Sequence, residues 1–130
     1  PYTHSGVISS FNAMDKLISK EIFLKHKIKT PKYFSIDRNY KISSVDKKLK
    51  LKKIYYPVIV KPVNEGSSLG VELCKNKRTL IKSIKKLVNK YDRAMIEQYI
   101  PGQENLSNGR YRKYYSVVIT KKLISGGRIW

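Results

Sequence analysis

The residues best suited to chemistry lie in the middle of the chain, in the ten-residue segment KPVNEGSSLG that spans Lys61–Gly70. An apolar run (57–60) precedes the loop, and a second run (69–73) follows it, a pattern that predicts strand, flexible loop and strand. The two glycines allow close approach and unusual backbone dihedrals, so successive N–H groups can face an anion. The lysine that ends the first strand adds a positive charge. The segment therefore predicts a phosphate-binding hairpin, with a nucleotide as its ligand.

Two common phosphate-binding patterns do not fit this segment. The chain contains no GxxxxGK[ST] motif, and the Gly/Ser loop leads into a strand and not into a helix. In protein kinases the lysine lies on the strand after the glycine loop, whereas Lys61 comes before the loop, and no HRD or DFG follows. What remains is a strand ending in lysine, a Gly/Ser loop, a strand, a helix and a strand that carries a glutamate.

The elements that must position this loop follow from hydrophobic periodicity. One helix is expected from about Ser10 to Lys27, with Lys16, Lys20 and Lys25 away from its apolar stripe and on the surface. A second helix is expected from Asn76 or Thr79 through Tyr91. Strands are predicted at 33–36, 94–100, 115–120 and 123–129, and the Lys-rich segment 37–53 is expected to be a loop with a short irregular helix. The alternation predicts an α+β fold.

Composition restricts the class of protein further. The chain has 130 residues, 41% of them apolar, which is enough to bury a core. No apolar run approaches the roughly 18 residues of a membrane helix, and no signal-peptide pattern opens the chain. The single cysteine, Cys74, is expected to be a buried thiol in a reducing cytoplasm. A start at Pro1 without methionine, and an end at Trp130 inside a predicted strand, suggest a fragment.

The net charge of +19, from 28 basic and 9 acidic residues, raises the question of nucleic-acid binding. The basic residues are mostly lysines spread along the whole chain, as on a solvated lysine-rich surface. A basic cleft for a polyphosphate fits the charge equally well. Nucleic-acid binding is therefore disfavoured but stays an alternative.

Three motifs in order, PYTHSGVISS…AMDKLISKEIF, PVIVKPVNEGSSLGV and MIEQYIPGQE, resemble the central part of D-alanine–D-alanine ligases, the ATP-grasp enzymes of bacterial cell-wall synthesis. The resemblance covers residues 1–104. It implies an ATP-grasp central subdomain, a small antiparallel sheet with packed helices. Residues 105–130, with a divergent loop (105–114) and a strand pair, would begin the C-terminal ATP-grasp subdomain.

The resemblance also implies roles at the phosphates of ATP. Lys16 would reach them from the helix and Lys61 from the strand, which suits a developing phosphoryl charge. Glu65, Gly66, Ser67 and Ser68 would form the mobile loop that closes over the triphosphate. Within it, the Ser68 backbone N–H would face the γ-phosphate, and Ser67 would act catalytically beside the first D-alanine.

Further roles follow from the resemblance at the nucleoside. Glu97 would accept a hydrogen bond from the adenine amino group, with Tyr99 and Ile100 lining the base. Glu104 would accept hydrogen bonds from the ribose hydroxyls. The implied reaction phosphorylates the carboxylate of one D-alanine, and the amine of a second D-alanine attacks the acyl phosphate. Mg²⁺ would bridge the phosphates. The resemblance implies that the ligands of this ion lie beyond this chain. No metal site is assigned to these residues, because His4, His26 and Cys74 have no partners at metal-ligand spacing.

The resemblance implies a cytoplasmic enzyme of peptidoglycan synthesis whose substrates are ATP and D-alanine, with no membrane partner and with a homodimer as one possible state of the full-length parent. These 130 residues alone are expected to be inactive. Two alternatives stay open. One is another ATP-grasp carboxylate–amine ligase, suggested by the divergent segment 105–114, and the other is a basic nucleic-acid-binding module.

Overall fold

The computed structural model describes residues 6–66 and 68–102, and the backbone of 104–106 and 118–120. The described helices are α1 (Val7–Met14), α2 (Lys16–Lys25), α3 (Ile42–Lys52) and α4 (Lys77–Tyr91). The described strands are β1 (Tyr33–Asp37), β2 (Val58–Pro62), β3 (Glu72–Cys74), β4 (Arg93–Gln98), β5 (Glu104–Leu106) and β6 (Val118–Thr120). The chain divides into two compact units, Pro1–Tyr99 and Ile100–Trp130.

The first unit is built on a four-stranded sheet with the order β1-β4-β2-β3, in which every neighbouring pair is antiparallel. The predicted α+β class and the small antiparallel sheet are confirmed, as is the pairing of the two strands that flank the Gly/Ser loop. Strand β4 is central: its Glu97 lies opposite Tyr33 of β1 on one side and Ile59 of β2 on the other.

One face of the sheet forms the hydrophobic core against α3 and α4. The core side chains on the strands alternate with those of the opposite face, as the pleat requires; they include Phe34, Ile36, Val58, Val60, Cys74, Ala94 and Ile96. Helix α4 covers them with the buried stripe Leu80, Ile84, Leu87 and Val88. It begins with a capping box between Asn76 and Thr79, so the predicted bounds of this helix are confirmed. The predicted buried thiol is confirmed too.

The prediction of one helix from Ser10 to Lys27 is wrong. The segment forms two helices, because Asp15 adopts an extended backbone conformation and caps α2, its carboxylate accepting from Leu17 N at 2.8 Å and from Ile18 N at 3.1 Å. Aspartate competes with the helix for backbone donors, which makes it a favourable N-cap. The break makes Lys16 the first residue of α2.

Two further predictions need correction. The segment expected to be largely loop contains the regular helix α3, which buries Val45 and Leu49 one turn apart. The strand expected at 69–73 begins only at Glu72, and residues 68–70 form a turn. The loop after β2 is thus longer than predicted.

The second unit contains β5 and β6, which pair antiparallel with Glu104 opposite Thr120. The sequence predicts a polar loop around Asn105, so β5 is a correction; the strand prediction at 115–120 is confirmed for Val118–Thr120. The predicted strand 123–129 lies outside the described residues. The predicted subdomain boundary after Glu104 stays a prediction, and the two compact units separate between Tyr99 and Ile100.

Candidate functional site

A buried carboxylate, Glu97, lies at the centre of the sheet face opposite the core. Its side chain is 9% exposed and forms two ion pairs, with Lys20 through Oε1 at 2.5 Å and with Lys61 through Oε2. Lys61 lies on β2 opposite Met95, two residues along β4 from Glu97, so the pair is diagonal across neighbouring strands. Both carboxylate oxygens are therefore occupied by ammonium groups from different elements.

Lys20 was predicted to lie on the surface, and this prediction is wrong. Its side chain is 7% exposed, and besides Glu97 its amine donates to Thr30 Oγ1 and to Pro31 O at 3.1 Å. The amine also lies over the Tyr33 ring, 4.8 Å from the centroid. Burial lowers the pKa of the Lys20 amine, and the neighbouring Glu97 carboxylate opposes that effect. Lys20 follows Lys16 by four residues, a spacing that places both on one helix face and was the available signal.

Lys16 binds the segment that follows β2. Its backbone N–H donates to Val63 O at 3.1 Å, and its amine donates to Val63 O at 3.3 Å and to Glu65 O. The start of α2 is therefore held by hydrogen bonds to the first residues of the Gly/Ser loop, Val63 and Glu65. Burial, followed by repulsion from the Lys61 ammonium, lowers the pKa of the Lys16 amine. The two lysines implied at the phosphates are thus close enough to repel each other.

The loop itself makes two tight turns. Leu69 N donates to Gly66 O at 3.0 Å, and Val71 N donates to Ser68 O at 3.3 Å. Ser68 has φ 60° and is exposed, and Gly70 has φ 72°. The unusual dihedral expected of both glycines is found at Gly70 alone of the two. Ser67, the predicted catalytic residue, lies outside the described residues.

Gly70 is enclosed at the base of this loop. A Cβ at this position would lie 2.9 Å from Pro62 Cγ and 3.1 Å from Leu87 Cδ2, whereas a Cβ at Gly66 would meet nothing within 4 Å. The chain therefore passes over the core at Gly70 and is open to solvent at Gly66. One end of the loop is held by packing and its middle is not.

The remaining predicted site residues lie at the end of β4 and beyond. Tyr99 follows β4 and is exposed, next to Gln98, whose N–H donates to Lys32 O at 2.9 Å. Ile100 and Glu104 belong to the second unit, so their predicted roles at the base and the ribose stay predictions.

Within the described residues, no three His, Cys, Asp or Glu side chains cluster in a way that could hold a metal ion. No described helix is both long and apolar enough to cross a membrane.

The chain is similar to known proteins both in sequence and in fold. The family model for the D-ala D-ala ligase C-terminus matches residues 22–107. Over 104 residues the chain is 48% identical to the D-alanine–D-alanine ligase of Pelagibacter ubique, covering 80% of this chain and 33% of that protein. The chain thus spans about a third of the length of this relative.

Solved structures agree with the sequence matches. The D-alanine–D-alanine ligase from Coxiella burnetii superposes with a TM-score of 0.70 at 26% identity, covering 80% of this chain and 31% of that one. The Bacillus anthracis D-alanine–D-alanine ligase complexed with ATP superposes with a TM-score of 0.66 at 31% identity, covering 80% and 33%. The ATP-grasp fold expected from the three motifs is confirmed, and the chain belongs to the D-alanine–D-alanine ligase family, within the region its C-terminal model describes.

Proposed function

We propose that this chain supplies the phosphate-binding part of an ATP-dependent D-alanine–D-alanine ligase. The observation that carries the proposal is the convergence of Lys16 and Lys61, from α2 and β2, at the root of the Gly/Ser loop. Two ammonium groups from separate elements suit a polyphosphate, because they offset its charge without needing one fixed geometry. The likeness to a D-alanine–D-alanine ligase complexed with ATP supports the same ligand.

The residues present fit a bound triphosphate. Lys16 donates to two loop carbonyls and Lys61 to a carboxylate, and phosphate oxygens are acceptors that can replace either. The open side of Gly66 leaves room for the loop to approach an anion closely. In this arrangement Ser68, already in a left-handed conformation, would present its N–H to the γ-phosphate, and Ser67 would contact the first D-alanine.

The adenine side of the proposal uses the end of β4. Glu97 accepts hydrogen bonds through both oxygens, and Tyr99 is exposed two residues further on. A carboxylate next to a strand end can accept a hydrogen bond from the adenine amino group, while main-chain groups form hydrogen bonds with the edge of the ring. Ile100 would line the base and Glu104 would accept from the ribose hydroxyls.

The proposed reaction is the ATP-driven joining of two D-alanines, in which the chain's own residues hold the nucleotide and exclude water. Lys16 and Lys61 stabilise charge on the transferring phosphoryl group, and the loop 65–70 closes over it. Mg²⁺ would neutralise the phosphates further, through carboxylates outside the described residues. The full-length protein would work in the cytoplasm for peptidoglycan synthesis, as a homodimer or as a monomer.

The test is phosphate release by the full-length protein that carries this chain. With ATP and D-alanine, we expect phosphate and the dipeptide in equal amounts. Lys61→Met should lower kcat/KM by at least about 100-fold, since a clamp on the transferring phosphoryl group is lost. Lys25→Met is the matched control, because Lys25 is exposed in the last turn of α2, and it should change kcat/KM by less than about twofold.

Two outcomes would point to the alternatives. Phosphate release only with another amine acceptor would replace the proposed reaction by that of a different ATP-grasp carboxylate–amine ligase. Steep salt-dependent binding to nucleic acid, with no protection of the loop 65–70 by ATP, would favour a nucleic-acid-binding module.

A further inference from the structure

The carboxylate of Glu97 is shared by two lysines that differ in how firmly they are held. Lys20 directs its three ammonium hydrogens to Glu97, Thr30 and Pro31, so every donor has an acceptor. Lys61 has a single acceptor among the described residues, Glu97, and its side chain is three times as exposed, 21% against 7%. Lys20 is therefore held in place by three acceptors, whereas Lys61 has to break only its ion pair with Glu97 to move away.

A departure of Lys61 changes the electrostatics of the site. If Lys61 turned to a phosphate, Glu97 would keep one ion pair, with Lys20, and one oxygen would be left to accept from another donor. Without Lys20, the same movement would break both ion pairs that Glu97 forms among the described residues, which is strongly unfavourable for a buried carboxylate. Lys20 therefore determines how easily Lys61 can move from Glu97 to a phosphate.

We propose that Lys20 is a positioning residue: it keeps the Glu97 carboxylate oriented and paired with one cation, so that Lys61 can exchange from Glu97 to the phosphates of ATP. The inference rests on the proposed function. The exchange leaves Glu97 Oε2 free, and the adenine amino group of the same nucleotide can donate to it. Phosphate binding and base recognition are then linked through one carboxylate.

The test is a double-mutant cycle in the full-length protein. The Kd for ATP of each variant is measured by calorimetry or by nucleotide fluorescence. Lys20→Met should raise the Kd about tenfold, within the range of coupling between groups in contact. In a Glu97→Gln background no counter-ion is needed, and the same substitution should change the Kd by less than about twofold. Lys25→Met, on the same helix, should leave the Kd unchanged in both backgrounds.

The cycle separates exchange from other roles of Lys20. Equal weakening of ATP binding in both backgrounds would overturn the inference, because a general attraction for phosphate, or support of the fold, does not depend on Glu97. If Lys20→Met does not fold, Lys20→Gln keeps a donor toward Thr30 or Pro31 without the charge, and the same tenfold rise is expected.

Failure of this inference is distinguishable from failure of the proposed function. If wild-type protein does not bind ATP, the proposed function is wrong. If it binds ATP and Lys61→Met weakens the binding, but Lys20→Met matches Lys25→Met, the role of Lys20 alone is wrong.

Discussion

Replacing Gly70 by alanine tests whether the Gly/Ser loop is fixed at its C-terminal end by packing against the core. Gly70 has φ 72°, in the left-handed region that costs a residue with a Cβ about 1–2 kcal/mol. The added Cβ would also lie 2.9 Å from Pro62 Cγ and 3.1 Å from Leu87 Cδ2. Both neighbours are fully buried side chains of the core and cannot swing into solvent.

The expected cost adds these two contributions. Overpacking of a well-packed site costs about 1–3 kcal/mol. Together with the backbone strain, Gly70→Ala should lower the free energy of unfolding by about 3 kcal/mol. At a urea dependence of about 1.5 kcal/mol per molar, the midpoint of unfolding should fall by about 2 M.

Gly66→Ala is the matched control in the same loop. Its Cβ would meet no atom within 4 Å, and Gly66 does not share the positive φ of Gly70. The free energy of unfolding should therefore change by less than about 0.5 kcal/mol. Urea unfolding followed by circular dichroism measures both variants. Equal midpoints for the two variants would refute the argument that Gly70, and not the loop as a whole, is held by the core.

Three smaller predictions concern the connection of α4 to the sheet. Asn76→Ala removes the side-chain cap of α4 and should cost about 1 kcal/mol of unfolding free energy; a loss below about 0.3 kcal/mol would show that the cap is dispensable. Hydrogen bonds from Lys86 and then Ser83 lower the pKa of the Glu72 carboxyl, so this group stabilises the fold above its unfolded pKa, and that contribution is lost as pH falls through the folded value. Urea midpoints for wild type and Glu72→Gln should therefore differ at pH 7 and converge below about pH 3; a pH-independent difference contradicts this. Burial raises the pKa of the Cys74 thiol, so a thiol reagent at pH 8 should react at least about 100-fold more slowly with folded than with urea-unfolded protein, and comparable rates would contradict the buried position.

The parts of the fold that were predictable are those encoded by local patterns. Helix α4 carries both an Asn76 cap and an unbroken apolar stripe, so its bounds could be read directly. Strand β2 and the loop after it are a β-branched run followed by Gly and Ser, and Lys61 and Glu97 lie at the strand positions that this pattern indicates. Such signals need no knowledge of the remaining chain.

The errors occur where a local pattern permits two structures. An aspartate in a helical period is tolerated inside a helix and preferred at its start, so periodicity could not reveal the break at Asp15. In α3, the many lysines obscured the buried pair Val45 and Leu49, whose four-residue spacing was present in the sequence. The position of the first residue of α2 depends on its docking to Val63, a contact that lies 47 residues away in the chain.

At the candidate site, the prediction that Lys20 lies on the surface was wrong for the same reason. By type and by helical periodicity it is one of many surface lysines, and its burial is decided by the packing of α2 against the sheet face that carries Glu97. Its spacing from Lys16 predicts a shared helix face but not which face turns inward. Only the tertiary structure supplies the acceptors that fix it.

Burial also distinguishes the site from the rest of a chain with net charge +19. Lys20 is the one basic residue that is buried within the described part of the chain, and beside it Lys16 and Lys61 are partly buried. Glu97 is a carboxylate neighbour of all three ammonium groups, and Lys16 also lies near Glu65 and Asp15, so like charges are held together where solvent screens them poorly. The repulsion between Lys16 and Lys61 is unfavourable without a ligand, and a polyphosphate would relieve it as well as gain its own hydrogen bonds. An anion that binds there is favoured by both effects, whereas the solvated lysines elsewhere offer an anion only the weak attraction of an exposed pair.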